Sequence, residues 1–188
     1  MIRDATGSRP GFWSRLTTTS MFRSPWFDAR RDTAVRPDGS TALYDHVVSS
    51  GSVTVVALDA RGSVAVTRQW IYTHEGTQWR LPAGRIEPAD PLPEVAARRE
   101  LREETGISAR EWRHLGTINC ADSFTNHRDH AFFATGLRYG TASLEPGEAD
   151  LEVHSLPFDQ ALSLVVGGRM PHAGSSYALL MARALGLG

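Results

Sequence analysis

Cysteine is almost absent: Cys120 is the single one in 188 residues. No internal disulfide and no multi-cysteine zinc site can form, which fits a reducing compartment, and a cytoplasmic location is expected. Net charge is nearly absent too, at −1. So small an excess gives no broad electrostatic footprint for nucleic acid or an anionic membrane, and neither partner is expected. No apolar run reaches the length of a bilayer span. Internal repeats, low-complexity blocks and a helix-turn-helix pattern are also missing. What is present is a globular composition, 41% hydrophobic and 22% charged. The length suffices for one domain with a real core and an appended arm.

Residues 1–27, MIRDATGSRPGFWSRLTTTSMFRSPWF, are rich in Arg, Ser and Thr and lack the apolar centre of a secretory signal. An organelle transit peptide and a loose arm are both open. Phe12, Trp13, Phe22, Trp26 and Phe27 suggest that the arm docks, a second subunit being one candidate. The domain proper is set at 28–188. RPDGSTALYDHVV reads as a hairpin turning at Pro37, Asp38 and Gly39. SVTVVALDARGSVAVTRQWIY repeats the pattern, with β-branched runs at 53–58 and 63–68 around an Asp59–Gly62 turn. QWRLPAG is a short strand stopped by Pro82 and Gly84. EVAARRELREET is a helix ended by Gly106. EWRHLGTINC, DHAFFATGL and LEVHSLP are further strands, and FDQALSLVVGG and SSYALLMARALG are amphipathic helices. Strands on both sides of a helix, with more helices at the end, give an α/β or α+β sandwich.

RRELREETGI, at 98–107, holds the chemistry. On a 3.6-residue helix Glu100, Glu103 and Glu104 share one stripe, where like charges repel by a few tenths of a kcal/mol each. Ala96 and Ala97 are small enough for close approach to a sheet, and Val95 and Leu101 can face the core. Arg99, four residues before Glu103, can pair with it. A solvated helix laced with ion pairs is the competing reading, which Arg98, Arg99 and Arg102 make credible. The upstream LPAGRIEP tips the balance, because Gly84 lets backbone approach a ligand. Carboxylates beside an exposed loop carbonyl form a hard oxygen site suited to Mg²⁺ or Mn²⁺.

GRIEPADPLPEVAARRELREETGI, residues 84–107, resembles the Nudix box, G-x(5)-E-x(7)-R-E-U-x-E-E-x-G-U with U a bulky aliphatic residue. Gly84, Arg99, Glu100, Leu101, Glu103, Glu104, Gly106 and Ile107 match. The segment is one residue longer than the pattern, with the insertion assigned to the PADPLP loop. Asp90 stands where the first Glu is expected, a structural position, so activity should survive. VTVVALDARGSVAVTRQW, LPAG and the tail ADLEVHSLPFDQALSLVVGGRMPHAGSSYALL are similar to the ADP-ribose and nucleoside-diphosphate-sugar pyrophosphatase branch. The resemblance implies a Nudix-type α/β/α sandwich with a mixed β-sheet. It also implies a homodimer with exchanged N-terminal strands and hydrolysis of a nucleoside diphosphate linked to another group. Glu100, Glu103, Glu104 and the Ala83 carbonyl would then hold Mg²⁺ or Mn²⁺, with Arg99 orienting the acids.

The general base is sought in EPGEADLEV, which offers Glu145, Glu148, Asp150 and Glu152. Ala149 stands where the branch often has Glu, and Glu148 is preferred, with Glu103 as the fallback; a solvated acidic turn is the alternative. Arg68, Trp70 and Phe124 are the candidate substrate contacts. Trp70, Tyr72 and Trp79 could stack on a base or ribose, although aromatics at strand ends usually belong to a core. His127 and His130 read as surface residues. CADSFTNHRDH replaces the Pro-Gly-Phe type segment of ADP-ribose members, and Arg80 replaces a frequent Glu, so other nucleoside-diphosphate sugars stay open. Nucleoside triphosphates and dinucleoside polyphosphates are alternative substrates. A non-catalytic sensing module is a third reading, against which the intact acids speak.

Overall fold

The computed structural model describes residues 11–188; residues 1–10 of the expected arm lie outside the described residues. The chain divides into two compact units. One contains the described residues up to Ser50 together with Ala121–His127; the other contains Gly51–Cys120 and Arg128–Gly188.

The first unit is an antiparallel sheet of β1 (Ser14–Arg23), β2 (Asp28–Val35) and β3 (Thr41–Val48), in that order. The expected hairpin joins β2 to β3. The Arg36 amide donates to the Ser40 carbonyl at 2.8 Å, and Asp38 Oδ1 accepts the Ser40 amide at 2.9 Å. The boundary placed between 27 and 28 falls inside this sheet. Ser20, Arg23 and Arg15, all on β1, bond to Asp28 and Asp32 on β2, so β1 is stitched to the strand beyond that point. Phe12, Trp13, Phe22, Trp26 and Phe27 are exposed.

In the second unit, β4 (Ser52–Ala57) is buried along Val53–Ala57, apolar except for Thr54. A strand sealed on both faces needs cover on both, which suits the middle of a layered fold rather than a free hairpin. Accordingly β4 does not form a ladder with β5 (Ser63–Ile71), the strand beyond the Asp59–Gly62 turn; the two share only the Leu58–Val64 bridge. Instead β4 pairs parallel with β9 (Arg128–Tyr139) and antiparallel with β7 (Ala83–Arg85). The mixed sheet runs β7-β4-β9-β8, with β8 spanning Ile107–Asn119. A second sheet runs β10-β5-β6, where β6 is Gly76–Arg80 and β10 is Glu152–Pro157.

Helix α1 (Pro93–Thr105) covers one face and helices α2 (Phe158–Val166) and α3 (Ala173–Ala184) the other. Along β4 the residues alternate: Val53, Val55 and Ala57 pack toward α1, and Val56 packs toward α2 and α3. This is the expected α/β/α sandwich with a mixed sheet. Pro93 opens α1 at a position that needs no amide, and Gly106 ends it in the left-handed region at φ 72°. Truncating the fully buried Leu101 to Ala should cost about 2–5 kcal/mol. Val95 is exposed rather than in the core, because it lies on the side of the helix opposite Glu104.

Candidate active site

The buried stripe of α1 is Ala96, Ala97, Glu100, Leu101 and Glu104. Two acids therefore lie in the row of side chains that faces the sheet, where the alanines let the helix come close. Glu103 sits at the edge of that row and keeps about a third of its side-chain exposure. Gly84 on β7 faces Glu100 so closely that a Cβ built there would overlap the carboxylate. A side chain there would displace that carboxylate. The neighbouring Ala83 amide donates to Glu104 Oε2 at 3.0 Å.

Arg99 fastens this shell. Its Nη1 donates to Glu100 Oε1 at 2.8 Å and to Glu103 Oε2 at 3.1 Å. Its Nη2 donates to the Arg85 carbonyl at 2.8 Å and to Asp90 Oδ2 at 3.0 Å. Asp90 also accepts the Glu87 amide at 2.9 Å. The residue that departs from the box pattern thus reaches Arg99 and ties the long loop to the helix. The Arg99 bond holds Asp90 below the ordinary carboxylate range, against the opposing effect of burial.

The other two acids behave differently. Burial pushes Glu100 up to about 7; Arg99 pulls against this, while Glu103 and Glu148 add repulsion. Burial pushes Glu104 up to about 8; the Ala83 amide and Arg80 oppose this, and Glu100 and Glu148 reinforce it. Each resists ionisation, because its surroundings supply too little positive charge to offset burial. The donors are all oxygens, which is the chemistry of a hard divalent cation. Among the described residues no three His, Cys, Asp or Glu side chains converge as a closed cation shell, and Glu103 is drawn onto Arg99 instead. The acids fit a cation by donor type and by excess negative field.

Glu148 ends a short 3₁₀ turn, Pro146–Glu148, whose capping box returns its Oε2 to the Glu145 amide at 3.1 Å. Its repulsion reaches both buried acids. Asp150 is occupied elsewhere, accepting the Trp70 amide at 2.7 Å. Trp70 and Tyr72 are exposed rather than core, because β5 ends there; Trp79 packs against the core. Arg68 reaches Glu152 at 3.4 Å and lies over the Trp79 ring. Phe124 is exposed and belongs to the first compact unit, whereas the acids, Arg68, Trp70 and Glu148 belong to the second.

Nothing in the sequence singles out Asp129, and Arg80 stands out there only as a replacement for a frequent Glu. Asp129 is fully buried, accepts the Thr54 hydroxyl on both oxygens at 3.0 Å, and packs so tightly against Gly174 that a Cβ there would overlap it. Arg80 feels the charges of Glu104 and Asp129. The available signal was a charged residue inside the apolar run WRLPAG.

Residues 49–174 match the NUDIX domain, and residues 13–47 match the nucleoside diphosphate sugar hydrolase N-terminal domain. The chain is 31% identical over 174 residues to the ADP-ribose pyrophosphatase of Mycobacterium tuberculosis, covering 92% of this chain and 84% of that one. It is 29% identical over 150 residues to the CMP-5'-(N-acetyl-N-hydroxy-3-aminopropyl)phosphonate hydrolase of Streptomyces rubellomurinus, covering 80% and 72%. A crystal structure of an ADP compounds hydrolase superposes with a TM-score of 0.79 over 95% of this chain and 96% of that one, at 19% identity. The box geometry and these matches agree: the chain belongs to the Nudix family and is a Nudix pyrophosphohydrolase.

Proposed function

We propose that the protein hydrolyses the diphosphate of ADP-ribose or another nucleoside-diphosphate sugar, using Mg²⁺ or Mn²⁺ held by Glu100, Glu103, Glu104 and the Ala83 carbonyl. Cleavage of a nucleoside diphosphate linked to another group is the activity supported at the class level, and Nudix hydrolases generally use divalent cations. The observation that carries the residue assignment is the pair of buried carboxylates raised to about 7 and about 8 beside a third acid. A bound divalent cation would screen the phosphates and acidify a water. The chain's own part is to hold the acids through Arg99, the Ala83 amide and the Gly84 cradle. Glu148 is the candidate proton acceptor, since its charge acts on both buried acids. Arg68, Trp70 and Phe124 are proposed to contact the substrate.

The relatives include a hydrolase of a CMP derivative as well as an ADP-ribose pyrophosphatase, so the sugar and base are best assigned by a panel. Phosphate release from ADP-ribose, other nucleoside-diphosphate sugars, nucleoside triphosphates and dinucleoside polyphosphates, after a coupled phosphatase, should be strongest for the sugar class. Equal or better turnover of a triphosphate would reverse the assignment. The exposed aromatics of β1 and its flanks favour a homodimer, placed in the cytoplasm. A monomer mass by light scattering would exclude that assembly.

A further inference from the structure

We infer that Arg80 is a positioning residue that sets the affinity of the acidic site for its cation, acting as a buried positive charge whose field reaches Glu104. The inference rests on the metal reading above. Arg80 is the last residue of β6, opposite Thr67 on β5. Both ends of the short link to the site are anchored: the Leu81 amide donates to Ser175 Oγ at 2.9 Å, and the Ala83 amide donates to Glu104 Oε2 at 3.0 Å. Arg80 therefore stands three residues before the amide that holds the Glu104 carboxylate. Its Nε is sealed from solvent and has no hydrogen-bond partner among the described residues. The acids whose charges act on it are Glu104 and Asp129.

Arginine keeps its charge when buried. In a site with little water that charge attracts Glu104 and repels a divalent cation at the same carboxylate, and both effects weaken cation binding. Asp129 offsets part of the charge from the other side, with Thr54 fixing its carboxylate. Arg80 would thus keep Glu104 oriented before the cation arrives and keep the cation exchangeable afterwards. That role is separate from contact with substrate.

The test is Mn²⁺ binding by electron paramagnetic resonance, without substrate, at about pH 9, where the carboxylates are ionised in every variant. R80Q should bind Mn²⁺ roughly tenfold more tightly than wild type, and R80K should stay within about twofold. Removing Arg80 alone takes away a positive charge that acts on the buried Asp129, which can destabilise the variant. The double variant R80Q/D129N removes both charges, and against D129N it should show the same gain. Thermal melts accompany each titration: a merely structural Arg80 shifts the melting temperature and leaves the Mn²⁺ affinity unmoved. Unchanged or weaker binding in R80Q, or in R80Q/D129N relative to D129N, overturns the inference. Wild type binding no Mn²⁺, or as much as Glu104→Gln binds, overturns the metal reading and this inference with it.

Discussion

Asp28 and Asp32 on β2 and Glu100 and Glu104 on α1 are about equally hidden, at 7%, 5%, 8% and 5% exposure. Their charges are handled in opposite ways. Asp28 receives Ser20, Arg23 and Arg30, which hold it well below the ordinary range. Burial works against Asp32, but Thr18, Arg15 and His46 outweigh it. The first unit neutralises each acid with its own partners. On α1 a single Arg99 is shared among Glu100, Glu103 and Asp90, and burial wins at Glu100 and Glu104. The chain contains no lysine, so all of these fixed side-chain cations except His46 are arginines. Together with hydroxyls such as Ser20 and Thr18 they outweigh burial in the first unit but not at Glu100 and Glu104. A buried acid with enough donors is a structural joint. A buried acid with too few is a place for an external cation.

The sharpest way to break this comparison is Glu104→Gln. It keeps the shape and removes one uncompensated charge, so turnover should fall by roughly a thousandfold. Above about pH 8 the metal-free fold should become more stable, because there a buried charge has gone. Full activity, or activity in excess chelator, would refute the reading of α1. Next in size is Glu148→Gln, expected to lower kcat about a hundredfold with little change in KM, with Asp150→Asn doing less. If both variants and their double keep near-native kcat, the loop is a solvated turn and Glu103 becomes the candidate base.

Asp32→Asn tests the other side. It should leave kcat unchanged and lower stability by about 1–3 kcal/mol, because Arg15 and His46 lose their shared acceptor. A larger loss of activity than of stability would dissolve the distinction between the two acid sets. The smallest effect is in the pH dependence of melting. Glu100 and Glu104 have folded values of about 7 and 8 against an ordinary 4.5. Between those limits the folded protein binds more protons than the unfolded one, so chelated protein loses stability as pH rises through that window. Asp28 and Asp32 have the opposite sign: their contribution is present above the ordinary 3.8 and is lost as pH falls through their lower folded values. Melting temperature should therefore fall from about pH 5 to about pH 8.5 with chelator and flatten with excess Mg²⁺. A flat chelated profile would show that the α1 acids already have their counter-charge.

Local order was legible in the residues. Pro93 and Gly106 bracket α1, the PDG turn fixes the β2–β3 hairpin, and the spacing of Arg99 from Glu103 gives their pair. The box also identified Gly84, whose approach to Glu100 explains why no side chain fits there. Partnership across long separations was not legible. The run 53–58 reads as half of a hairpin, but its burial on both faces sends β4 to pair with β9 instead. Periodicity puts Glu100, Glu103 and Glu104 together, yet only the packing of α1 on the sheet buries two of them and leaves the third at the edge. Val95 was misplaced for the same reason.

By itself, then, the sequence determined which segments are helix or strand, where they stop, and that three acids and an arginine share one helix. Those are consequences of nearest-neighbour geometry and of spacings within a few residues. The tertiary structure alone decided which acids are buried beyond what their partners offset, that Asp90 closes the long loop onto Arg99, and that the charges of Glu104 and Asp129 act on Arg80. Such properties depend on how many charges come near one another and how little water remains between them, and chain separation is no guide to either.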